Sequence, residues 1–394
     1  MFFERKILSE IRPFLATDDI IVITGLRRTG KTTLLKAIYD QTPSKNKAFL
    51  DLDNIIDQKI WQENDFNNIL NNLKIYGIQP ENQIHLFLDE IQSFPDVIKP
   101  VKYLHDHYKA KFYLTGSSSF YLKNLFSESL AGRKVIFELF PLDFEEFLVF
   151  QQVKKRFYST IEEKEKYKNK ISSEKMKPFV DEYLNYGGFP QVVLARDEVH
   201  KKEYLKDIFN SFFEKDVKIL ADFRNIQVLR DLIFLLFQRC SSKIDITKLA
   251  TSLSITRDTV YSYISFLEQT YFFSFLKPFS KSSDREVSKA RKVYACDTGF
   301  LNYFSKQSEG CILENAVFNC LRKFGKINYY EKRNGPEIDF LLPESGFAFE
   351  VKYQGSENDY RRLLKTANSL NIKECYIVSR KFGSFKGLIP FDEL

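Results

Sequence analysis

The stretch from Ile20 to Tyr39, IIVITGLRRTGKTTLLKAIY, decides the fold of the N-terminal part of the chain. It opens with a run of β-branched residues, Ile20 to Thr24, which is typical of a strand buried on both faces of a parallel sheet. Residues 25–32 then match G-x-x-x-x-G-K-[ST], and Thr33 to Tyr39 is predicted as a helix. A strand, this loop and a helix in register form a P-loop, which predicts binding of a nucleoside triphosphate.

The P-loop supplies the candidate nucleotide ligands. Its glycines permit the tight turn that points successive backbone N–H groups at the phosphates. Lys31 is predicted to bridge the β- and γ-phosphates, and the Thr32 hydroxyl to bind Mg²⁺. The predicted nucleotide-binding residues are Gly25, Arg28, Thr29, Gly30, Lys31, Thr32 and Thr33.

A second strand, Ile84 to Glu90, is apolar and ends in two acids. Such an ending is a weak signal alone, but downstream of a P-loop it is typical of a Walker B motif. Asp89 is then predicted to hold Mg²⁺ through water, and Glu90 to polarise the water that attacks the γ-phosphate.

The next strand, beginning at Lys111, ends in hydroxyl side chains. Thr115 or Ser117 is a candidate sensor of the γ-phosphate, and capping of a helix that begins at Phe120 is the alternative. The repeated strand–helix order around the P-loop predicts an α/β fold with a parallel sheet covered by helices on both faces.

Composition limits the class of protein. A chain of 394 residues with 44% apolar residues suits two or three domains with real cores, and its net charge of +7 permits an anionic partner such as nucleic acid. Five cysteines without a C-x-x-C spacing argue against a disulfide framework and favour the cytoplasm. We expect neither a signal peptide nor a membrane span.

Beyond the sheet the chain is predicted to be helical, with a charged stretch at residues 154–177 that carries nine basic and four acidic residues. We interpret this stretch as a solvated helical insertion, and contact with the phosphate backbone of a nucleic acid is the alternative. Residues 247–268 predict a helix-turn-helix, and Phe272 to Leu276 a strand that acts as a wing. The second helix carries one basic residue, Arg257, so reading of DNA and packing against the ATPase part both remain open.

The C-terminal part contains a second candidate site. If Leu342 pairs with Phe347 in a hairpin, Asp339 lies opposite Glu350 on one face. Two carboxylates about 5 Å apart repel by roughly 3 kcal/mol at an effective dielectric near 20. A cation between them would relieve this repulsion, so the pattern predicts Mg²⁺ or Mn²⁺ with Lys352 beside it, and a charged, solvated hairpin is the alternative.

Both parts resemble one family, the AAA-type, STAND-like P-loop ATPases of bacteria and archaea that carry a winged helix and a C-terminal restriction-endonuclease-like domain. The shared motifs are IIVITGLRRTGKTTLL, LFLDEIQ, YLTGSSS, LAGR, YGGFP, the helix-turn-helix and EIDF…FEVK. The resemblance implies ATP as the nucleotide. It also implies that Arg133 completes the ATP site, from the same chain or from a neighbour, and that Pro190 contacts the nucleotide base.

The C-terminal motifs are similar to the PD-(D/E)XK nuclease fold, with Ile338 in place of the proline of the motif name. The resemblance implies Glu314, Asp339 and Glu350 as metal ligands, and Asp339, Glu350 and Lys352 as catalytic residues. The predicted architecture is a P-loop ATPase core (1–143), a helical lid (144–240), a winged helix (241–285) and a nuclease-like domain (286–394).

Two functions follow from this architecture. The first is ATP hydrolysis coupled to cleavage of DNA by the C-terminal site. The second is an ATP-dependent switch or scaffold that binds DNA or protein without cleavage. A homo-oligomer or a protein partner is compatible with both.

Overall fold

The computed structural model describes residues 3–117, 130–217, 225–280, 290–332 and 335–394. The chain divides into two compact units. The first comprises residues 1–140, 210–222 and 269–271, and the second comprises residues 141–209, 223–268 and 272–394. The second unit thus contains most of the chain after the P-loop sheet.

The first unit is built on a parallel sheet of five strands among the described residues, in the order β2-β3-β4-β1-β5. The strands are β1 (Ile20–Thr24), β2 (Lys47–Asp51), β3 (His85–Asp89), β4 (Lys111–Gly116) and β5 (Lys134–Glu138). The helices are Ile7–Ile11, Lys31–Gln41, Ile55–Lys59, Asn67–Leu73 and Ile98–Tyr108. All five residues of β1 are buried, as expected for a central strand with a core on each face.

The order of the strands determines where the polar residues meet. Strands β3, β4 and β1 are neighbours and run parallel, so their carboxyl ends lie at one edge of the sheet. The P-loop follows β1, Asp89 ends β3, and Thr115 lies near the end of β4. One edge of the sheet therefore carries all of the predicted phosphate and metal groups of this unit.

The sequence pattern predicts two longer helices in the first unit, an amphipathic one from Met1 to Leu15 and a polar one from Asp57 to Leu73, and both predictions are wrong in extent. The predicted helix from Met1 to Leu15 is only Ile7–Ile11 followed by a 3₁₀ turn, Arg12–Phe14, while Met1 lies outside the described residues. The helix predicted from Asp57 to Leu73 is two short helices, Ile55–Lys59 and Asn67–Leu73. Trp61, buried between them, packs into the core on one face of the sheet, and tertiary packing thus interrupts the local helical pattern.

Among the described residues, the second unit contains a mixed five-stranded sheet, a two-stranded antiparallel sheet and a set of helices. Its strands are β6 (Phe273–Leu276), β7 (Lys292–Ala295), β8 (Asn328–Glu331), β9 (Glu337–Leu342), β10 (Phe347–Lys352), β11 (Glu374–Ser379) and β12 (Leu388–Pro390). Its helices are Phe144–Phe150, Ile161–Lys166, Lys170–Tyr186, Pro190–Val193, Glu198–Ser211 (whose last two residues belong to the first unit), Ile226–Gln238, Ile246–Leu253, Arg257–Gln269, Thr298–Phe304, Glu309–Leu321 and Glu357–Ser369. The two helices and the strand predicted between residues 247 and 276 are present, and β6 pairs antiparallel with β7.

The predicted hairpin register is confirmed. In the sheet β12-β11-β10-β9-β8, Phe347 pairs with Leu342 and Phe349 with Phe340 in antiparallel β9 and β10. The same register, continued by one residue, places Asp339 opposite Glu350. The core under this sheet includes Ile338, Leu341, Ala348 and Leu363.

The stretch at residues 154–177 is solvated only in part, because six of its nine basic residues are exposed and three lysines are not. The side chains of Lys155, Lys164 and Lys168 are 5%, 3% and 8% exposed. Lys155 pairs with Asp392, at 3.1 Å, and Lys164 donates to the carbonyls of Glu393 and Leu394. These lysines pair with carboxylates or donate hydrogen bonds to backbone carbonyls near the end of the chain. Such partners are needed because a buried charge without one is costly in free energy.

Within the parts of the chain that the structure describes, every helix is too short or too polar to cross a membrane.

Candidate functional site

The P-loop follows β1 through two glycines that no other residue could replace without strain. Gly25 has φ +143°, and a Cβ added to it would lie 2.1 Å from the carbonyl oxygen of Leu139. Gly30, at φ +98°, precedes the helix Lys31–Gln41 in the left-handed region. Both positions require a residue without a Cβ, so the loop closes tightly against the sheet.

The Lys31 ammonium folds back over its own loop. It donates hydrogen bonds to the carbonyls of Gly25 and Leu26, each at 3.0 Å. Burial lowers the pKa of Lys31, while the negative charges of Glu90 and Asp216 act in the opposite direction. The buried Thr29 hydroxyl donates to Leu26, at 2.9 Å, which helps to hold the turn closed.

The other predicted loop residues differ in their exposure. Thr32 is half-buried at the start of the helix, whereas Arg28 and Thr33 are exposed. The backbone of Arg28 has φ +65°, a left-handed conformation that is uncommon for residues other than glycine.

Asp89 ends β3 at the edge of the sheet that carries the P-loop. The Thr115 hydroxyl donates to the Asp89 carboxylate. Burial raises the pKa of Asp89, and the hydroxyls of Thr115 and Thr32 oppose the shift. A hydroxyl beside a buried carboxylate, next to a lysine, is a donor set that fits Mg²⁺ bound to phosphate oxygens.

Glu90 is held in a strained conformation at the same edge. Its φ is +54°, its N–H donates to the Thr115 hydroxyl at 3.1 Å, and its carboxylate accepts from the Gln92 amide. Gln92 in turn accepts from the Ser117 N–H, at 3.1 Å. The hydrogen bonds fix the position of the predicted base relative to the end of β4. The helix that Ser117 was alternatively expected to cap, at Phe120, lies outside the described residues.

Two predicted residues do not join this edge. Arg133 precedes β5, and its carbonyl accepts from the N–H of Ile20, the first residue of β1. It therefore lies at the opposite end of the sheet, about 15 Å along the strand direction from the P-loop, where it pairs with Asp106 at 2.7 Å. The prediction that Arg133 completes the ATP site of its own chain is wrong, and a role at a neighbour's site stays a prediction.

Pro190 belongs to the second unit, where it begins the helix Pro190–Val193. Gly188, two residues before Pro190, donates its N–H to the buried Asp297 carboxylate at 2.7 Å. A Cβ at Gly187 would lie 1.9 Å from the same carboxylate, which explains why glycine occupies this turn. Contact of Pro190 with the nucleotide base stays a prediction.

Sequence reasoning missed the partner of the P-loop arginine. Arg27 Nε lies 2.9 Å from Asp216 Oδ2, and the Ser117 hydroxyl donates to Asp216 Oδ1, also at 2.9 Å. Asp216 is 189 residues from Arg27 in sequence and 2% exposed. The surrounding letters, FFEKDV, carry no pattern that would have singled it out.

In the second unit, the hairpin brings together Asp339, Glu350 and Lys352. Asp339 Oδ2 accepts from the N–H of Val351 at 2.9 Å, and Lys352 Nζ lies 2.7 Å from Glu350 Oε1. Burial raises the pKa of Glu350, while the bond from Lys352 opposes the shift. The predicted acid–acid–lysine set is thus assembled on one face of β9 and β10.

A buried lysine that the sequence pattern did not single out lies beside three carboxylates of the second unit. Lys292, on β7, lies 2.6 Å from Glu337 and 3.7 Å from both Glu314 and Asp339, and its side chain is 6% exposed. The described residues contain no group of three or more acidic, histidine or cysteine side chains arranged to hold a metal ion. A divalent ion between Asp339 and Glu350 stays a prediction.

Glu314 makes this cluster sensitive to pH. Burial, and next the charge of Asp339, raise its pKa to about 8, against the ordinary value of 4.5. The Tyr294 hydroxyl donates to it at 2.7 Å. The unfolded chain releases this proton near pH 4.5 and the folded chain only near pH 8, so folding stability falls as the pH rises between these values.

We expect Glu314→Gln to remove this pH dependence. The wild-type free energy of unfolding should fall by up to about 1.4 kcal/mol per pH unit in that window relative to the variant. Urea unfolding of full-length protein at several pH values measures the difference. The exposed Glu309→Gln, on the same helix, is the control, and a slope that is identical in all three proteins would contradict the shifted pKa.

Comparison with known proteins agrees with the geometry of the first unit. Residues 17–148 match an AAA domain family, and residues 178–310 and 309–387 match two families described as domains of unknown function. A Walker-type ATPase of Pyrococcus abyssi aligns with 77% of this chain and 96% of its own, at 13% identity and a TM-score of 0.47.

Two full-length relatives are similar over most of their sequences. The uncharacterised protein MJ1544 of Methanocaldococcus jannaschii is 35% identical over 366 residues, which cover 89% of this chain and 78% of the relative. An uncharacterised protein of Haemophilus influenzae is 27% identical over 393 residues, 95% of this chain and 92% of the relative. The chain therefore belongs to the family of MJ1544, and its N-terminal unit carries an AAA-type P-loop ATPase domain.

Proposed function

We propose that the protein binds ATP with Mg²⁺ at the edge of the first sheet and hydrolyses its γ-phosphate. The observation that carries this proposal is the meeting of Lys31, Thr32 and Asp89 with Glu90 at the ends of β1 and β3. A buried ammonium, a hydroxyl near a carboxylate, and a second carboxylate are the groups that phosphoryl transfer to water requires.

Each group has one task in this proposal. The P-loop amides and Lys31 bind the phosphates, and Thr32 and Asp89 hold the metal ion, which neutralises charge on the phosphate oxygens. Lys31 exchanges its two carbonyl partners for phosphate oxygens when the nucleotide binds. Glu90, oriented by Gln92 and Thr115, accepts a proton from the attacking water.

The test is release of phosphate from ATP by the full-length protein with Mg²⁺, compared with the same protein in a chelator. We expect turnover only with the metal ion. Failure of the wild-type protein to bind ATP at all would overturn the proposal.

For the second unit, we infer that binding without cleavage is better supported than cleavage of DNA. The position of Lys292 supports this choice, because its ammonium lies 3.7 Å from both Glu314 and Asp339, two of the three predicted metal ligands. The third, Glu350, is paired with Lys352. DNA or a protein then remains a partner that ATP binding controls, and the assembled charges act as a recognition surface.

Incubation of plasmid and single-stranded DNA with Mg²⁺ or Mn²⁺, with and without ATP, tests this inference. We expect intact DNA in every reaction. Cleavage that disappears in Asp339→Asn and in Lys352→Ala, but persists in the exposed control Lys381→Ala, would establish the nuclease function instead.

A further inference from the structure

A short π-helical segment, Phe212–Val217, belongs to the ATPase unit, although the flanking residues 141–209 and 223–268 belong to the second unit. Asp216 is the buried acid of this segment. Glu214, two residues earlier, is exposed. The segment thus carries one carboxylate inside the unit and one on its surface.

The Asp216 carboxylate accepts hydrogen bonds from two groups at the edge of the sheet that carries the P-loop. Its two oxygens accept separately, one from Arg27 of the P-loop and one from the Ser117 hydroxyl after β4, both at 2.9 Å. Its charge also acts on Lys31, whose pKa it raises against the effect of burial. A carboxylate therefore already occupies a P-loop arginine and a hydroxyl after β4, and its charge reaches the P-loop lysine.

Burial of the Asp216 carboxylate costs free energy, because it removes a charged group from water. Burial raises the pKa of Asp216, and Arg27 and Ser117 oppose that shift. A buried acid of this kind persists because its donors are good, and it leaves them only when another anion replaces it. The γ-phosphate of ATP is an anion that demands the same kind of donors.

We propose that Asp216 is a specificity-determining residue that competes with the γ-phosphate for Arg27 and Ser117, and so sets the relative affinity for ATP and ADP. The inference rests on the proposed function of the P-loop. ATP must displace Asp216 from at least one of its donors, whereas ADP, which lacks the γ-phosphate, leaves both hydrogen bonds in place. Asp216 therefore weakens ATP binding more than ADP binding.

A purely structural ion pair is the competing explanation, and the two predict different measurements. A structural pair changes the stability of the fold, and its loss affects both nucleotides alike. A competitor changes the ratio of the two affinities. The ratio is therefore the informative quantity.

The experiment measures the dissociation constants of ATP and ADP by calorimetry on full-length protein, in a Glu90→Gln background that prevents hydrolysis. We expect Asp216→Asn to tighten ATP binding about tenfold or more and to change ADP binding less than about twofold. Glu214→Gln makes the same change of charge on the exposed side of the segment, and both affinities should stay as they were.

A second measurement uses the protein without a change at Asp216. Amide hydrogen exchange of residues 212–217 should become faster with a non-hydrolysable ATP analogue than with ADP, because only the triphosphate releases the segment. An unchanged ratio in Asp216→Asn, or equal exchange with both nucleotides, overturns the role of Asp216 while ATP binding by the P-loop stands. Absence of nucleotide binding by the parent protein overturns both.

Discussion

Glu90→Gln should bind ATP with nearly unchanged affinity and hydrolyse it about 10²–10⁴-fold more slowly than the wild-type protein. The amide preserves the shape of the side chain, and its oxygen still accepts from the Gln92 amide, which holds the wild-type carboxylate. It cannot take a proton from water, so only the chemical step is lost. Steady-state phosphate release with Mg²⁺ measures turnover, and calorimetry measures binding.

The exposed Glu81→Gln, which precedes β3 at the other end of the strand, is the matched control. It repeats the chemical change about 15 Å away along the strand, and both turnover and binding should match wild type. Turnover that survives in Glu90→Gln would mean that another group positions the attacking water. The strained backbone at Glu90 would then serve the fold rather than the chemistry.

Lys31→Ala should weaken ATP binding by roughly 10–150-fold, the loss of one charge-assisted hydrogen-bonding group. The variant should fold, because the hydrogen bonds of the Lys31 ammonium within the described residues go to two carbonyls of its own loop and not to the sheet or to another helix. Titration with a fluorescent ATP analogue measures the affinity, and thermal unfolding without nucleotide tests the fold.

Lys36→Ala is the control for this change. Lys36 lies on the same helix with an exposed side chain near the Phe49 ring, 5.6 Å from its centroid. Its removal should leave nucleotide affinity unchanged. Equal affinity in wild type, Lys31→Ala and Lys36→Ala would contradict the assignment of the P-loop.

Local patterns predicted the elements of the ATPase edge because the chemistry there is encoded in consecutive residues. Strand β1, the loop and the following helix are read directly from residues 20–39, and β3 from its apolar run and acidic ending. The hairpin register was also predictable, since side chains alternate along a strand and the loop length fixes the pairing. The roles of these residues in ATP hydrolysis remain predictions until they are measured.

Charge patterns were less informative than apolar patterns. The basic stretch at residues 154–177 looked solvated, yet Lys155 and Lys164 are buried against the end of the chain. A lysine has the same appearance in a sequence whether its partner is water or a carboxylate more than two hundred residues away. Composition therefore gave the wrong environment for these two lysines.

The sequence alone determined the P-loop, the acidic end of β3 and the pairing of β9 with β10, because in each case the residues that act together are close along the chain. Only the tertiary structure decided which charges neutralise them. Asp216 reaches Arg27 across 189 residues, and Lys292 reaches Asp339 from a strand of a different sheet. A buried charge pairs with whichever partner the fold brings next to it. That partner can be far away along the chain, so no periodic pattern in the sequence identifies it.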